Sequence, residues 1–375
     1  MTRTIRFLAA VCLAAAAMFA QPGSIPLVQT TDLYHPPMDP DDHVDLATAL
    51  AIAEFDLRAV IFDADARMVE GTWSPGDPPR EPGFVPVAQI SYLTGRAIPA
   101  AIGPLAPLRS PSDTALDRPR REQAGIELLL RVLRESPEPV AITVLGSARI
   151  VAAAWNREPA LMERKVRSVV LNAGTAAGPA NEYNVRIDPH AYVGLMRSRL
   201  PVDWYPCASA DGTFRSPGEA SGEHNTFWRA PHAELFRGVP DALTAWFVHA
   251  FTGNGRGDLL RALREENRGS GVAILRSGER NLWCTASYAL AAGRKLIETK
   301  DGWRFVPAAR APAGASEETL ALDPVTIRVN DDGVTEWTPG PAASRQRLFR
   351  RTPGPRHTAA MTAALNALLR SLPVE

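Results

Sequence analysis

Cysteine is scarce in this chain: Cys12, Cys207 and Cys284 are the three present in 375 residues. That is too few for a zinc ribbon or a disulfide-stapled scaffold. An excess of charge of one sign is also missing. Lys plus Arg and Asp plus Glu each number 41, so bulk charge selects no nucleic acid. No long apolar run follows residue 19, and no GxSxG, HExxH, P-loop or GxGxxG string occurs. Those absences disfavour serine hydrolase, zincin, NTPase and dinucleotide-binding readings. Proline and glycine are plentiful, at 33 and 27, without a collagen period; they predict many loops.

Hydrophobic residues are 45% and charged residues 22% of the chain, enough apolar side chain for a large core and against global disorder. Residues 1–20, MTRTIRFLAAVCLAAAAMFA, place Arg3 and Arg6 before an apolar stretch that ends at Ala20. This pattern predicts a signal peptide cleaved after Ala20, hence export to the periplasm or medium. The stretch falls short of the ~20 residues a membrane span needs, so no stable span is expected after processing. In an oxidising compartment Cys207 and Cys284 could pair or stay as thiols; sequence does not supply the Cα separation that decides.

The chain then alternates strand-like and helix-like segments. Strands are expected at 25–31, 57–63, 98–103, 140–146, 166–174 and 201–207, with 98–103 buried. Helices are expected at 44–55, 87–95, 121–135, 148–157 and 188–199, with loops at 64–86 and 104–120. Such alternation predicts a single α/β domain, residues 24–375, with a mostly parallel central sheet flanked by helices. Ligands of such sheets bind at the carboxyl ends of the strands. Residues 326–337 read as a β-hairpin with an Asp-Gly turn. The arginine-rich stretch 345–356 reads as a solvated face before a final helix.

The densest chemistry lies in TTDLYHPPMDPDDHVDLATALA, residues 30–51. Asp32, Asp39, Asp41, Asp42 and Asp45 crowd a strand-to-helix junction. Carboxylates so close repel one another unless protons or a cation neutralise them, and hard oxygen ligands without a neighbouring cysteine suit Ca²⁺ or Mg²⁺. The same string also suits a solvated loop whose aspartates cap a helix. His35 and His43 flank the cluster. His249 reads as a core residue of a helix. Trp204, Tyr205, Trp228 and Trp283 suit either core packing or stacking on an aromatic ligand. Arg280 in SGERN suits an anion contact or a turn.

The order strand, Asp, proline-containing loop, Asp-Asp, helix resembles the DxDPGxDD signature of the nucleoside hydrolases, the inosine–uridine-type N-ribohydrolases. Four more segments follow in that family's order: IPAAIGPLAPL (98–108), VLGSARIVAAAWNREP (144–159), VRSVVLNAG (166–174) and NEYNVRIDPHAYVGLMRSRLPV (181–202). The resemblance covers residues 26–206 and thins beyond them. It implies the nucleoside-hydrolase fold and hydrolysis of the N-glycosidic bond of a ribonucleoside or related N-riboside. It also implies a Ca²⁺ cofactor holding the ribose diol, with Asp32, Asp41 and Asp42 around the metal and Asp32 as water-activating base. Glu182 and Asn184 correspond to the pair that grips the outer sugar hydroxyls. His224, in a polar and aromatic loop, is a candidate leaving-group acid. The partner implied is a small molecule rather than nucleic acid; a homo-oligomer is left open. A binding protein that keeps the sugar grip without the chemistry is the alternative.

The chain also departs from the family pattern. Eight residues, Leu33–Pro40, separate Asp32 from Asp41 where the family has three, so Asp39 or Asp45 could replace an assigned ligand. The segment 280–296, where the family's last metal Asp is due, has Trp283, Cys284 and Thr285 and no carboxylate. Arg149 stands near the position of a carbonyl-donating Thr and could replace the cation electrostatically, and Asp63 or Asp65 stands where an Asn is usual.

Overall fold

The computed structural model describes residues 24–33, 40–66, 69, 82–176, 182–207, 222–252, 259–265 and 270–375. The expected signal peptide, His35 and Asp39 lie outside them. Strands β1 (Ile25–Thr31), β2 (Phe55–Phe62), β3 (Ala100–Ile102), β4 (Val140–Val144), β5 (Val166–Asn172) and β6 (Val202–Tyr205) form the parallel part of the sheet. The helices between them are α1 (Pro40–Ala51), α2 (Phe84–Thr94), α3 (Arg120–Glu135), α4 (Arg149–Arg157), α5 (Pro159–Lys165), α6 (Tyr183–Ile187) and α7 (Pro189–Met196). The α/β class and the parallel sheet expected from the alternation are what the chain adopts.

Side chains of successive strand residues point to opposite faces, and both faces are apolar here, as a doubly covered sheet requires. Leu27, Val60 and Phe62 enter one core, with α1 and α2 above them. Val28, Ala59 and Ile61 enter the other, against α3, α4 and α7. Helix α1 is unusual in having no solvated side: every residue from Pro40 to Leu50 is buried. The solvated-loop reading of its aspartates therefore does not hold. Strand β3, expected to be buried, is the edge strand and is half-buried along its length.

The second half of the chain supplies β7 (Trp228–Pro231), α8 (His232–Leu235), α9 (Asp241–Thr252), α10 (Leu259–Glu265), α11 (Ser270–Ser277), β8 (Glu279–Leu282) and α12 (Thr285–Ala291). Strands β9 (Arg294–Thr299), β10 (Gly302–Pro307), β11 (Glu317–Glu318), β12 (Leu320–Val329), β13 (Thr335–Pro339) and β14 (Gln346–Arg351) come next, before α13 (Pro355–Ser371). Among the described residues the main sheet has nine strands in the order β13-β12-β14-β6-β5-β4-β1-β2-β3. The expected hairpin is β12–β13, antiparallel, with Thr326 opposite Thr338. Its turn uses Gly333 at φ 83°, a conformation that costs other residues a Cβ clash. The arginine-rich stretch is a solvated face only in part: Arg345, Arg347 and Arg356 are exposed, but β14 lies inside the sheet, parallel to β6. Leu348 and Phe349 are buried, and Arg347 forks onto Asp203 at 2.7 and 2.8 Å.

Candidate functional site

Strand β1 sits between β2 and β4. The chain leaves β1 for β2 and β3 on one side and returns to β4 on the other. The strand order therefore reverses at β1/β4, and the crevice beyond the carboxyl ends of such strands is where open α/β sheets hold ligands. Each strand delivers residues to that crevice: β1 ends at Asp32, β2 at Asp63, β4 at Gly146–Ser147 and β5 at Asn172–Gly174. Helix α1 adds Asp41, Asp42 and Asp45 from its first turns.

Asp32, Asp42, Asp45 and Asp63 are all buried. Asp32 and Asp42 are hydrogen-bonded to each other, which requires a proton on one of them. Burial, followed by the charges of Asp42, Asp63 and Asp41, raises the Asp32 carboxyl well above the usual range. Burial and then Asp41 push Asp42 up to about 7, although the Thr31 hydroxyl donates to its Oδ2. Burial, then Asp42 and Asp41, raise Asp45, while a hydrogen bond from the Cys284 thiol works against that. Burial also lifts Asp63, to about 6, opposed by Arg149 and by Ser147, whose amide donates to Oδ2 at 2.5 Å. Gly146 makes this convergence possible, because a Cβ there would lie 3.2 Å from both Cβ and Cγ of Asp32 and 2.9 Å from Asp63 Oδ2.

Glu182 and Asn184 reach the same crevice from the start of α6. Glu182 is its N-cap: Oε1 accepts from the Asn184 amide at 3.0 Å and Oε2 from the Gly174 amide at 2.8 Å. Burial nevertheless raises its carboxyl to about 7. Asn184 donates through Nδ2 to the carbonyls of Leu145 and Asn172, both at 3.0 Å, which pins it across the ends of β4 and β5.

Arg149 does not take the cation's place in the Asp32–Asp41–Asp42 group. It is buried, donates from Nε to Asp188 Oδ2 at 2.8 Å and to the Pro104 carbonyl at 2.8 Å, and lies 3.6 Å from Asp63 Oδ1. Arg280 is the arginine that enters the acidic group. From β8 its Nε donates to Asp41 Oδ1 at 3.1 Å, and Nη2 bonds the same oxygen. The carboxylate-contact reading of Arg280 is thus realised, on a strand rather than a turn.

The structure does not bring His224 to the carboxylates. Its Nδ1 lies 2.9 Å from the carbonyl of Phe349, and its ring packs on Trp337 at 4.9 Å. Phe349 is on β14, four strands from β1, or about 19 Å at ~4.8 Å per strand. His249, Trp204 and Trp228 are buried as core side chains, and Trp283 packs on Phe227 at 5.9 Å. Cys207 and Cys284 are free thiols, both buried.

Calcium takes six to eight oxygen ligands, carboxylates foremost. Among the described residues Asp41 is committed to Arg280 and Asp42 to Thr31 and Asp32, while Asp45 faces the Cys284 thiol and keeps its Oδ1 without a hydrogen-bond partner. The segment due to carry the last carboxylate supplies a thiol, a soft donor with no affinity for a hard cation. No group of three or more His, Cys, Asp or Glu among the described residues is arranged to hold a metal ion. Among the described residues, which do not include Asp39, this donor set does not fit a resident calcium ion. Nothing in the sequence marked Arg280 as Asp41's partner; the one available signal was its lying four residues before Cys284.

No family model matches the chain. It is 30% identical over 182 residues to the pyrimidine-specific ribonucleoside hydrolase RihA of Citrobacter koseri, covering 43% of this chain and 55% of that protein. The chain thus spans about half the length of that curated relative. Its fold matches the purine-preferring ribonucleoside hydrolase from Gardnerella vaginalis with a TM-score of 0.54 at 15% identity, over 92% of this chain and 99% of that one. It equally matches the type III effector protein XopQ complexed with adenosine diphosphate ribose, with a TM-score of 0.54 at 15% identity over 100% of both chains. The chain is thus similar to a ribonucleoside hydrolase in sequence over part of its length and shares the fold of nucleoside hydrolases over nearly all of it.

Proposed function

We propose that the chain hydrolyses the N-glycosidic bond of a ribonucleoside or related N-riboside in the crevice beyond β1, β2, β4 and β5. The observation that supports this reading most is the convergence of Asp32, Asp42 and Asp63 there, buried and mutually repelling. Cleaving the bond between C1′ and the base nitrogen develops positive charge on the sugar. Carboxylates that repel one another in the free protein gain most when positive charge forms among them, so they favour the transition state over the ground state. In this reading Asp32 accepts the proton of the attacking water as its oxygen bonds C1′, and the departing base leaves with the electron pair of the broken bond. Asn184 and Glu182 orient the sugar. The activities for which the relatives are named, pyrimidine- and purine-directed, support the reaction class and leave the base open.

A second reading is ribose-ligand binding without turnover. It is favoured by the Arg280–Asp41 pair, which neutralises part of the cluster permanently, and by the full-length likeness to a protein solved with a ribose-containing ligand. Incubation with a panel of purine and pyrimidine nucleosides, with release of free ribose as readout, separates the two. The hydrolase reading expects release, lost by about 10²–10⁴-fold in Asp32→Asn. Binding without release on any nucleoside supports the second reading, and release unaffected by Asp32→Asn removes Asp32 as base.

Export is part of the proposal. It is supported by the Arg–apolar–Ala pattern of residues 1–20, and amino-terminal sequencing of periplasmic or secreted material tests it. Among the described residues no helix is long and apolar enough to cross a membrane.

A further inference from the structure

We propose that Arg280 is a built-in counter-ion of the acidic crevice, holding by a side chain the charge balance that would otherwise draw in a divalent cation. The pair it forms lies in the same crevice as the proposed hydrolysis, but its role does not depend on turnover.

Three observations carry it. The first is the geometry of the pair. Nε and Nη2 of Arg280 both bond Oδ1 of Asp41, and the two side chains are only 31% and 11% exposed. A guanidinium never gives up its charge at physiological pH, so this compensation is permanent.

The second is that the arginine is placed by a rigid element. In the two-stranded sheet Arg280 is paired with Ala230, and Leu282 with Trp228. One step along, Arg229 and Glu279 form an ion pair across the same strands at 2.5 Å. The side chain therefore leaves a fixed backbone position directly beside the first turn of α1.

The third is the chemistry of the segment just after Arg280. The chain turns into α12 at Cys284, whose thiol donates to Asp45. Thus one short segment brings a cation to Asp41 and a hydrogen-bond donor to Asp45. Both act on carboxylates as a donor or a positive charge would, and neither supplies a metal ligand. An incoming divalent ion would meet a fixed positive charge and a soft sulfur. Arg280 is a positioning residue here: it sets the state of Asp41 and its neighbours and need not touch substrate.

The test is titration of the full-length protein with Ca²⁺ and with luminescent Tb³⁺, read by thermal unfolding and by sensitised emission. The wild type is expected to show no calcium-dependent rise in unfolding temperature at millimolar Ca²⁺ and no saturable Tb³⁺ emission. Arg280→Gln is expected to bind Tb³⁺ at least about ten-fold more tightly than wild type and to gain a calcium-dependent rise in unfolding temperature. Arg280→Lys should behave as wild type. Saturable calcium binding by the wild type that Asp42→Asn abolishes overturns the proposal, and this arm needs no folded Arg280 variant. A folded Arg280→Gln that takes up no more cation than wild type overturns it too. None of these outcomes bears on the ribose-release assay, so failure here and failure of the hydrolase reading are distinguishable.

Discussion

Arg149 and Asp188 lie 39 positions apart and are joined by a 2.8 Å bond from Nε to Oδ2, with the guanidinium 2% and the carboxylate 0% exposed. Asp188 is otherwise occupied as the N-cap of α7, accepting from Ala191, and takes the Leu108 amide at 2.9 Å. One buried charge pair thus ties α4, α7 and the loop before α3 together behind the crevice. Removing one partner of such a pair strands the other in a low dielectric. Arg149→Ala should therefore destabilise the protein by about 3–5 kcal/mol in urea unfolding. A change within experimental scatter would show that the pair holds nothing.

Gly146 should tolerate no side chain. A methyl group there would press on Asp32 and Asp63 at 3.2 and 2.9 Å, and overpacking of this kind costs about 1–3 kcal/mol. Gly146→Ala should also lower ribose release beyond what its stability loss explains, because it displaces Asp32. Unchanged release from a folded Gly146→Ala would separate Asp32 from the chemistry.

Stability should fall as pH rises through the weakly acidic range. Glu182 titrates near its usual 4.5 when unfolded and at about 7 when folded. Below about 4.5 both states hold the proton and there is no effect. Between these values the unfolded chain releases it while the folded protein keeps it, so unfolding gains with each step in pH. Asp42, at about 7, and Asp63, at about 6, act with the same sign. Urea midpoints measured from pH 5 to pH 8 should decline, and Glu182→Gln should remove a share on the order of 3 kcal/mol. A midpoint that climbs over this range would contradict the buried, proton-holding state of these carboxyls.

Cys207 and Cys284 should be chemically silent in the folded protein. Both are buried, and burial raises both thiols well above their usual range, so little nucleophilic thiolate exists. A thiol reagent should modify neither before denaturation and both after it. A Cys207–Cys284 linked peptide in a non-reduced digest would instead show that the oxidised pair forms.

The sheet was legible because its strands are short apolar runs separated by helix-period segments, each local enough to read alone. Asp32, Asp41 and Asp42 were legible as a group because one strand–helix junction carries them all. The Arg280–Asp41 pair was not, since its partners are 239 positions apart and nothing local marks either for the other. The insertion of part of the arginine-rich stretch into the sheet was illegible for a related reason: Arg347 and Arg350 are matched by Asp203 and Asp323 on neighbouring strands, which only the assembled sheet supplies. His224 carried the right chemistry in a polar loop, yet its place is set by β13 and β14, far along the chain.

The insertion of β14 beside β6 has a bearing on how the chain is made. Asp203 and Arg347, which clasp these strands, are 144 positions apart, so the β6 edge stays open through the synthesis of all that lies between. A parallel edge of this kind closes late, against the entropy of a long loop, and until then it is a template for pairing with another chain. Folding yield at high concentration should accordingly be limited by capture of the 346–351 segment, well after the crevice-bearing strands have met.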